Sequence, residues 1–320
     1  MAVSEEVLTL KHAEQLALKD EPGIVSQQWQ AQSLSEQSIA DGQLMDPKLQ
    51  VVLNNMPADT FEFDQENMTQ FKIGILQQFP SGDTLNIKQK KTQKQSELIQ
   101  STISDRKLSI IKDVRLTYLE IYYWEQAEKT VLKNKRLFSH LVDIVQSMFS
   151  VGQNNQQDLI RAQLELSRLD VRLTKITQKV NTQRSKLSRW IGTQKSVQPL
   201  ASQLPELSIP VLSNDFETLS QHFFSHPKIQ EIDKKLEISR KDIELVKESY
   251  KPGWGLNVSY GYRDNNPNGM KRADFLTAGV TIDLPLFTAN RQDKKLLAKE
   301  HAYQSLKDKR VELLRKLVAG

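Results

Sequence analysis

The chain has 320 residues, of which 38% are hydrophobic and 26% charged, and its 44 basic and 39 acidic residues give a net charge of +5. Because the two signs are interleaved along the sequence, the charge does not favour a nucleic-acid-binding face, and we expect no nucleic-acid partner. The chain contains no cysteine, which excludes disulfides, cysteine nucleophiles and thiolate metal ligands. It also contains no run of about 18 apolar residues, so no transmembrane helix is predicted.

Two helices are predicted at the start of the chain, where no signal-peptide apolar region occurs. Apolar residues recur with helical spacing over residues 8–20, and Pro22 with Gly23 interrupts them. A second helix is expected from about Ile24 to Leu44. At Pro47 the apolar period changes from that of a helix to that of a strand.

A pair of half-buried strands is predicted between about residues 48 and 79. Apolar and polar residues alternate along each strand, as they do when one face is buried and the other is wet. The predicted apolar positions are Leu49, Val51, Leu53, Phe71, Ile73 and Ile75.

A long helical hairpin is predicted over residues 83–191. No proline or glycine interrupts residues 83–150, and a helix of that length would reach on the order of 100 Å. Gly152 ends it, and Asp158 is well placed to begin the return helix. Nine of ten heptad positions in the return helix are apolar, which is typical of a coiled coil. These positions are Leu159, Ala162, Leu166, Leu169, Leu173, Ile176, Val180, Gln183, Leu187 and Trp190.

The rest of the chain predicts a linker, two further helices and a second pair of strands. Three prolines mark residues 193–214 as the linker, and helices are expected over Phe216 to Ser225 and from Pro227 to about Tyr250. A last helix is predicted from about Asn290. The apolar positions of the second strand pair are Trp254, Leu256, Val258, Tyr260, Tyr262, Val280 and Ile282.

The chain matches itself at a displacement of 205 residues. Each matched residue falls at the same place in the same order of elements, which predicts two copies of one unit. The matched pairs are Pro22 with Pro227, Ile24 with Ile229, Pro47 with Pro252, Gly74 with Gly279, and Pro80 with Pro285. We assign the first repeat to residues 1–192 and the second to residues 215–320. The chain stops before a second hairpin tip, so we expect the second hairpin to be truncated.

Four strands with one apolar face each are too few to close a barrel within one chain. They could join strands of other chains in a membrane barrel, with lipid outside and water inside. They could equally form a small soluble sheet with one buried face. The hairpin taken alone fits a soluble coiled-coil stalk or adaptor. A stalk, however, does not need strands with a lipid-facing apolar face between its helices.

Several short motifs follow one another in a definite order. They are Leu8-Thr9-Leu10 with Ala13, Ala17, Leu18 and Pro22; Asp46-Pro47; Phe149-Ser150-Val151-Gly152; and Asp158-Leu159, Arg161-Ala162-Gln163 and Glu165. Together they resemble the TolC family of outer membrane efflux proteins over nearly the whole chain. A further set is similar to the branch that serves heavy-metal efflux: Asn55-Met56-Pro57, Met68-Thr69 and Gln77-Gln78-Phe79-Pro80.

The resemblance implies a mainly α fold, in which long coiled-coil hairpins form an α-barrel. Each subunit of a homotrimer would add four strands to a transmembrane β-barrel. It implies a passive export duct in the Gram-negative outer membrane that extends into the periplasm. Its partners would be outer membrane lipid, a periplasmic adaptor (membrane fusion) protein and an inner membrane pump.

The resemblance also implies that the adaptor docks on the hairpin tip, at Ser150, Val151, Gly152 and Gln153. A helix that ends at glycine is expected to expose unpaired carbonyls and to tolerate close backbone approach. Gating residues cannot be carried over, because the second hairpin is expected to be truncated. The lipid-attachment cysteine of some members is missing.

No catalytic residue, cofactor site or metal site is predicted. His222 and His226 have the spacing of a zinc pair but precede Pro227 at the end of a short helix. No glycine-rich phosphate loop or nucleophile elbow occurs. A group of lysines could suggest nucleic acid or anionic head groups, although a solvated helix face is the favoured interpretation. These lysines are Lys88, Lys90, Lys91 and Lys94.

Overall fold

A computed structural model describes residues 7–153, 155–207 and 223–319. Contacts divide the chain into two compact units, one drawn from Met1–Ser26 and Ile103–Leu212 and the other from Gln27–Thr102 and Ser213–Gly320. The first predicted repeat therefore contributes to both units. The last seven residues of the predicted linker, and most of the helix predicted over Phe216 to Ser225, lie outside the described residues.

Apart from the short helix Thr193–Ser196 inside the predicted linker, the described elements follow the order predicted from the sequence, and the mainly helical fold with four strands is confirmed. They are α1 Leu10–Leu18, α2 Pro22–Asp41, β1 Lys48–Asn54, β2 Gln70–Phe79, α3 Thr84–Ser150, α4 Gln156–Ile191, α5 Thr193–Ser196, α6 Pro227–Glu248, β3 Trp254–Tyr262, β4 Phe275–Ile282 and α7 Gln292–Ala319.

Helix α2 is displaced from its predicted bounds by two or three residues. It begins at Pro22, because proline at the first helical position has its backbone angle already set and needs no hydrogen-bond partner for a missing N–H. It ends at Asp41 rather than Leu44, just before Gly42. Helix α6 begins at the equivalent proline, Pro227, as the displacement of 205 residues predicts.

In the first unit, α3 and α4 pack along the predicted heptad seam. All ten seam positions of α4 are buried or half-buried, whereas nearly all its other positions are exposed. Val131, Ile176 and Val180 form a buried cluster, and Trp124 and Leu169 are among the residues packed against it. The antiparallel coiled-coil hairpin is thereby confirmed.

Two polar residues of α3, Glu128 and Lys135, have partners on α4. Thr177 Oγ1 donates a hydrogen bond to Glu128 Oε1 at 2.9 Å. Lys135 forms an ion pair with Asp170 at 2.5 Å. These pairs fix the register of the two helices, because a displacement by one heptad would separate both.

The N-terminal segment and the described part of the predicted linker meet in the same unit. Leu8 is fully buried and forms a β-bridge with Leu200, and its carbonyl accepts a hydrogen bond from Tyr118 Oη at 2.9 Å. Burial of Tyr118 raises the pKa of its hydroxyl. Through Leu8, α3 is thus joined to the start of the first repeat and to the linker that follows it.

In the second unit, ion pairs connect the start of α3 with α6 and α7. Lys91 lies 2.7 Å from Asp242, and Lys299 lies 3.1 Å from the same carboxylate. Lys94 pairs with Glu237 at 3.1 Å. Lys91 and Lys94 are therefore half-buried partners of α6, and the prediction of a simply solvated face is wrong for these two lysines.

The second unit also contains one antiparallel sheet of four strands in the order β1-β2-β3-β4. Pairing of β2 with β3 joins the two strand pairs, so each predicted repeat supplies half of the sheet. In the described ranges, which omit 1–6, 154, 208–222 and 320, no helix has both the length and the apolar character that crossing a membrane requires.

Candidate functional site

The predicted apolar strand positions form one continuous face of the sheet. In one register row Val51 pairs with Ile73, Ile73 with Tyr260, and Tyr260 with Leu276. The next row joins Leu49, Ile75, Val258 and Ala278 in the same way. Because residues two apart share a face, all thirteen predicted positions lie together, and each is between 37% and 69% exposed.

Aromatic residues occupy both ends of this face. Phe71 pairs with Tyr262 at the end of the strands near the loops. At the opposite end Phe79 stacks on Trp254, with ring centroids 4.0 Å apart and an interplanar angle of 14°. Between these ends the face is mainly aliphatic, with Tyr260 and Gln77 as the exceptions. Aromatic girdles around an aliphatic band are typical of strands that cross a lipid bilayer.

The opposite face of the sheet is mostly polar and has small side chains at its centre, and within the four strands its large apolar residues are Val52, Leu76 and Phe275. Gly74 faces Ser259 so closely that a Cβ added at Gly74 would lie 2.7 Å from the Ser259 Cβ. Ser259 is 3% exposed. Within the four strands, Lys48 and Lys72 are the charged residues of this face. The two faces thus differ sharply in polarity, as the sequence predicts.

Two arginines fasten the β1–β2 loop to the β3–β4 loop. Arg272 Nη1 donates to the carbonyl oxygens of Asp64 and Glu66 at 3.1 and 3.2 Å. Arg263 Nη1 donates to the carbonyl oxygen of Asn67 at 3.0 Å. Neither arginine is predicted from the sequence, because their acceptors are backbone groups about 200 positions away.

The predicted tip residues form a closed helix end. Gly152 has a φ of 75°, its N–H donates to the Phe149 carbonyl, and the Gln153 N–H donates to the Met148 carbonyl. This is the Schellman pattern, which satisfies carbonyls at the end of a helix. The expectation that this helix end exposes unpaired carbonyls is wrong for Met148 and Phe149, since the turn itself supplies their donors.

Helix α4 starts directly after the tip. The Asn155 side chain accepts a hydrogen bond from the Asp158 N–H at 2.9 Å, and Asp158 lies in the first turn. The turn thus reverses the chain within a few residues. Among the described residues, which omit the neighbouring position 154, nothing lies within 4 Å of a Cβ placed on Gly152.

An exposed apolar stripe runs along the outer part of α3 toward the tip. Leu141, Ile144, Met148 and Val151 follow one another at spacings of three and four, and Val151 is 68% exposed. On α4, Ile160 and Leu164 are also exposed. The sequence analysis did not single out this stripe, although its spacing is that of a second heptad seam.

Residues 7–153, 155–207 and 223–319 contain no group of three or more histidine or acidic side chains placed to hold a metal ion. His226 caps α6, because its Nδ1 accepts a hydrogen bond from the Lys228 N–H at 3.2 Å. His222 lies outside the described residues.

No protein-family model and no curated protein matches the chain, but solved structures do. VceC, an outer membrane protein of Vibrio cholerae, is 15% identical, with a TM-score of 0.71 over 96% of this chain and 75% of VceC. The CmeC outer membrane channel of Campylobacter jejuni is 12% identical, with a TM-score of 0.74 over 96% of this chain and 68% of CmeC.

The MtrE outer membrane channel of Neisseria gonorrhoeae, in its open state, is similar as well. It is 14% identical, with a TM-score of 0.70 over 96% of this chain and 70% of MtrE. TM-scores of 0.70 to 0.74 show a shared fold, and at identities of 12% to 15% they show the fold alone. The chain therefore has the fold of the TolC-family outer membrane channels, the family that its sequence motifs resemble.

Proposed function

We propose that this chain is a subunit of a homotrimeric channel in the Gram-negative outer membrane, through which small solutes such as drugs or metal ions are exported without chemical change. The observation that carries the proposal is the exposed apolar sheet face with aromatic residues at both ends. The fold shared with outer membrane channels supports it.

The dimensions of the apolar face suit a bilayer. Strand β3 has nine residues, which at about 3.4 Å each extend roughly 30 Å. A barrel strand tilted by about 40° would then cover roughly 23 Å along the membrane normal, close to the apolar band of about 25 Å in outer membrane barrels. A smaller soluble sheet would leave this face in contact with water, where large apolar patches promote association.

The unpaired edges of the sheet favour assembly from several copies. In the described sheet, β1 and β4 each have one neighbouring strand. Placing β4 of one copy beside β1 of the next continues the antiparallel order. Closing the ring removes every edge, which otherwise invites aggregation. Three copies, the number that the family resemblance implies, supply twelve strands.

The hairpin tip is the proposed docking site for a periplasmic adaptor that links the channel to an inner membrane pump. Its closed Schellman turn presents Val151 and the open side of Gly152 outward. The exposed stripe of Leu141, Ile144 and Met148 beside it has the spacing that a partner helix recognises.

Purification and planar-bilayer recording test the channel proposal. We expect the protein to require detergent, to form trimers by native mass spectrometry and to conduct ions in bilayers. Ile73→Asp places a charge on the apolar face and should abolish membrane insertion, whereas Thr277→Asp on the polar face should not. A monodisperse protein that stays soluble without detergent and binds no vesicles would instead identify a soluble coiled-coil structural or adaptor protein.

A further inference from the structure

A cavity of about 600 Å³ lies where the ends of the strands meet α6 and α7 in the second unit. The polar-face residues Gln78, Gly255 and Thr281 line it together with Arg291 and Lys295 at the start of α7. Its volume is in the range of small-molecule sites, about 300–1,000 Å³.

Arg291 and Lys295 provide positive charge without a counter-charge in contact. They are one helical turn apart, and within the described residues neither side chain has an ion-pair or hydrogen-bond partner. Lys251 also lines the cavity but is held by Glu248 at 2.7 Å. Asp283 is the carboxylate among the described lining residues, so the unpaired groups leave a net positive charge.

Gln292 contributes an unsatisfied acceptor. It lines the cavity and is 4% exposed, and its Oε1 has no hydrogen-bond partner in the part of the chain that the structure describes. Its Nε2 is occupied, since it donates to the Ser249 carbonyl at 3.3 Å. A buried unpaired acceptor is unfavourable, so a ligand that brings a donor to this wall gains affinity.

One wall of the cavity is apolar. Phe79, Trp254, Met45 and Leu284 are among its lining residues, and the rings of Phe79 and Trp254 stack on each other at this end of the sheet. The cavity therefore combines two unpaired cations, a buried acceptor and an aromatic surface. No inorganic ion satisfies all three, because the aromatic surface requires an apolar body to cover it.

We propose that this cavity binds an amphipathic organic anion. The anionic group would contact Arg291 and Lys295, a neighbouring donor would reach Gln292, and the apolar body would cover Trp254. This inference rests on the proposed export function for its physiological meaning, because both an exported solute and a membrane phospholipid have this chemistry. The site itself is defined by side chains of one unit and does not depend on a conducting pore.

Dansylglycine is a suitable probe, since it has an aromatic body, a carboxylate and an N–H donor. Binding is measured in non-ionic detergent by energy transfer from tryptophan, in a variant that retains Trp254 and carries Trp29→Phe, Trp124→Phe and Trp190→Phe. Equilibrium dialysis with the unaltered chain provides a second readout that does not depend on the folding of that variant. We expect saturable binding of one probe per chain, weakened by raised salt.

The decisive comparison uses two double variants with the same change in charge. Arg291→Gln with Lys295→Gln should weaken binding by about tenfold or more, as expected from the loss of charged contacts. Lys294→Gln with Lys309→Gln removes two exposed charges that do not line the cavity and should leave the affinity within about twofold. Equal affinities of the two double variants, or equal binding of uncharged dansylglycinamide, would overturn the proposal.

Added lipid identifies the source of the natural ligand. Displacement of the probe by phosphatidylglycerol, but not by phosphatidylcholine, would assign the site to an anionic lipid, and failure of both lipids to displace bound probe would assign it to a soluble anion. Bilayer conductance of the same variants separates the two proposals. Normal conductance without saturable probe binding refutes only the anion site, whereas binding without conductance refutes only the channel.

Discussion

Glu248, near the end of α6, accepts a hydrogen bond from the backbone N–H of Asp83 at 2.7 Å and so caps the start of α3 from 165 residues away. Glu248 is 9% exposed and also pairs with Lys251, and both contacts lower the pKa of its carboxyl, with Lys251 contributing more. Gly82 has a φ of 50°, and a Cβ there would collide with the Glu248 carboxylate. This contact joins the end of β2 in the first repeat to the start of β3 in the second.

Replacing Glu248 tests this cap. Glu248→Ala leaves the Asp83 N–H and Lys251 without their acceptor, and we expect a loss of about 1–3 kcal/mol in unfolding free energy. Glu248→Gln retains an acceptor and should lose less. Glu244→Ala on the same helix removes a partly exposed ion pair with Lys241 and should change stability by about 1 kcal/mol or less. Thermal melts followed by circular dichroism compare them, and equal melting of all three variants would contradict the cap.

Gly74 and Gly279 are equivalent in the two repeats but differ in their surroundings. A Cβ at Gly74 would press on Ser259, whereas no atom of the residues that the structure describes lies within 4 Å of one at Gly279. We expect Gly74→Ala to lower the melting temperature by several degrees, as overpacking by about 1–3 kcal/mol does. Gly279→Ala should have little effect. Equal melting temperatures would mean that the strands do not approach as closely as the structure indicates.

Glu21 predicts a pH dependence of stability in the first unit. Hydrogen bonds from Arg106 lower the pKa of its carboxyl from the usual 4.5 to about 2, and the side chain also accepts from the Ile24 N–H at 2.8 Å. Because the folded-state pKa is the lower one, this stabilisation is present above pH 4.5 and is lost as the pH falls toward about 2.

Glu21→Gln should therefore be less stable than the unaltered chain at neutral pH by about 1.5–3 kcal/mol, the range for charged hydrogen bonds. The difference should shrink as the pH falls below about 4.5. Denaturant titrations at neutral pH and near pH 3 measure it, with Glu165→Gln, an exposed change on α4, as the control. A stability difference that does not vary with pH would show that the ionised Glu21 carboxylate is not the source of the stabilisation.

The tip turn predicts that the residue type at position 152 affects the stability of the chain. Alanine there must adopt the left-handed conformation of Gly152, which is unfavourable by about 1 kcal/mol. Asparagine tolerates this conformation better, so we expect Gly152→Asn to melt above Gly152→Ala. Val151→Ala is the control, since Val151 is exposed. If alanine and asparagine were equally stable, the Schellman turn would not be formed in solution.

The sequence predicts well those elements whose residues are close together in the chain. Strict alternation from Trp254 to Tyr262 predicted β3 with its observed bounds, because a two-residue period admits no other regular structure. The heptads of α4 predicted its buried positions, because a period of 3.5 residues keeps them on one face of a helix. The register in which β2 pairs with β3 was not predicted, because these two strands are far apart in the chain.

Contacts between segments that are far apart in the chain could not be predicted from the sequence. Lysines such as Lys91 looked like a solvated group, because their partner Asp242 is about 150 residues away. The proposed anion-binding cavity could not be predicted from the sequence for the same reason. Arg291 is unremarkable in the sequence, and its lack of a counter-charge becomes visible only beside Trp254 and Gln292.

The central claim, that the apolar sheet face contacts lipid, is tested most directly by spin labels in phospholipid vesicles. The chain has no cysteine, so a label on one introduced cysteine reports one position. Labels at Ile73, Val258 and Val280 should be more accessible to dissolved oxygen than to a water-soluble nickel chelate, and labels at Lys72 and Thr277 should show the reverse. Equal accessibility to the nickel chelate at all five positions would contradict the account.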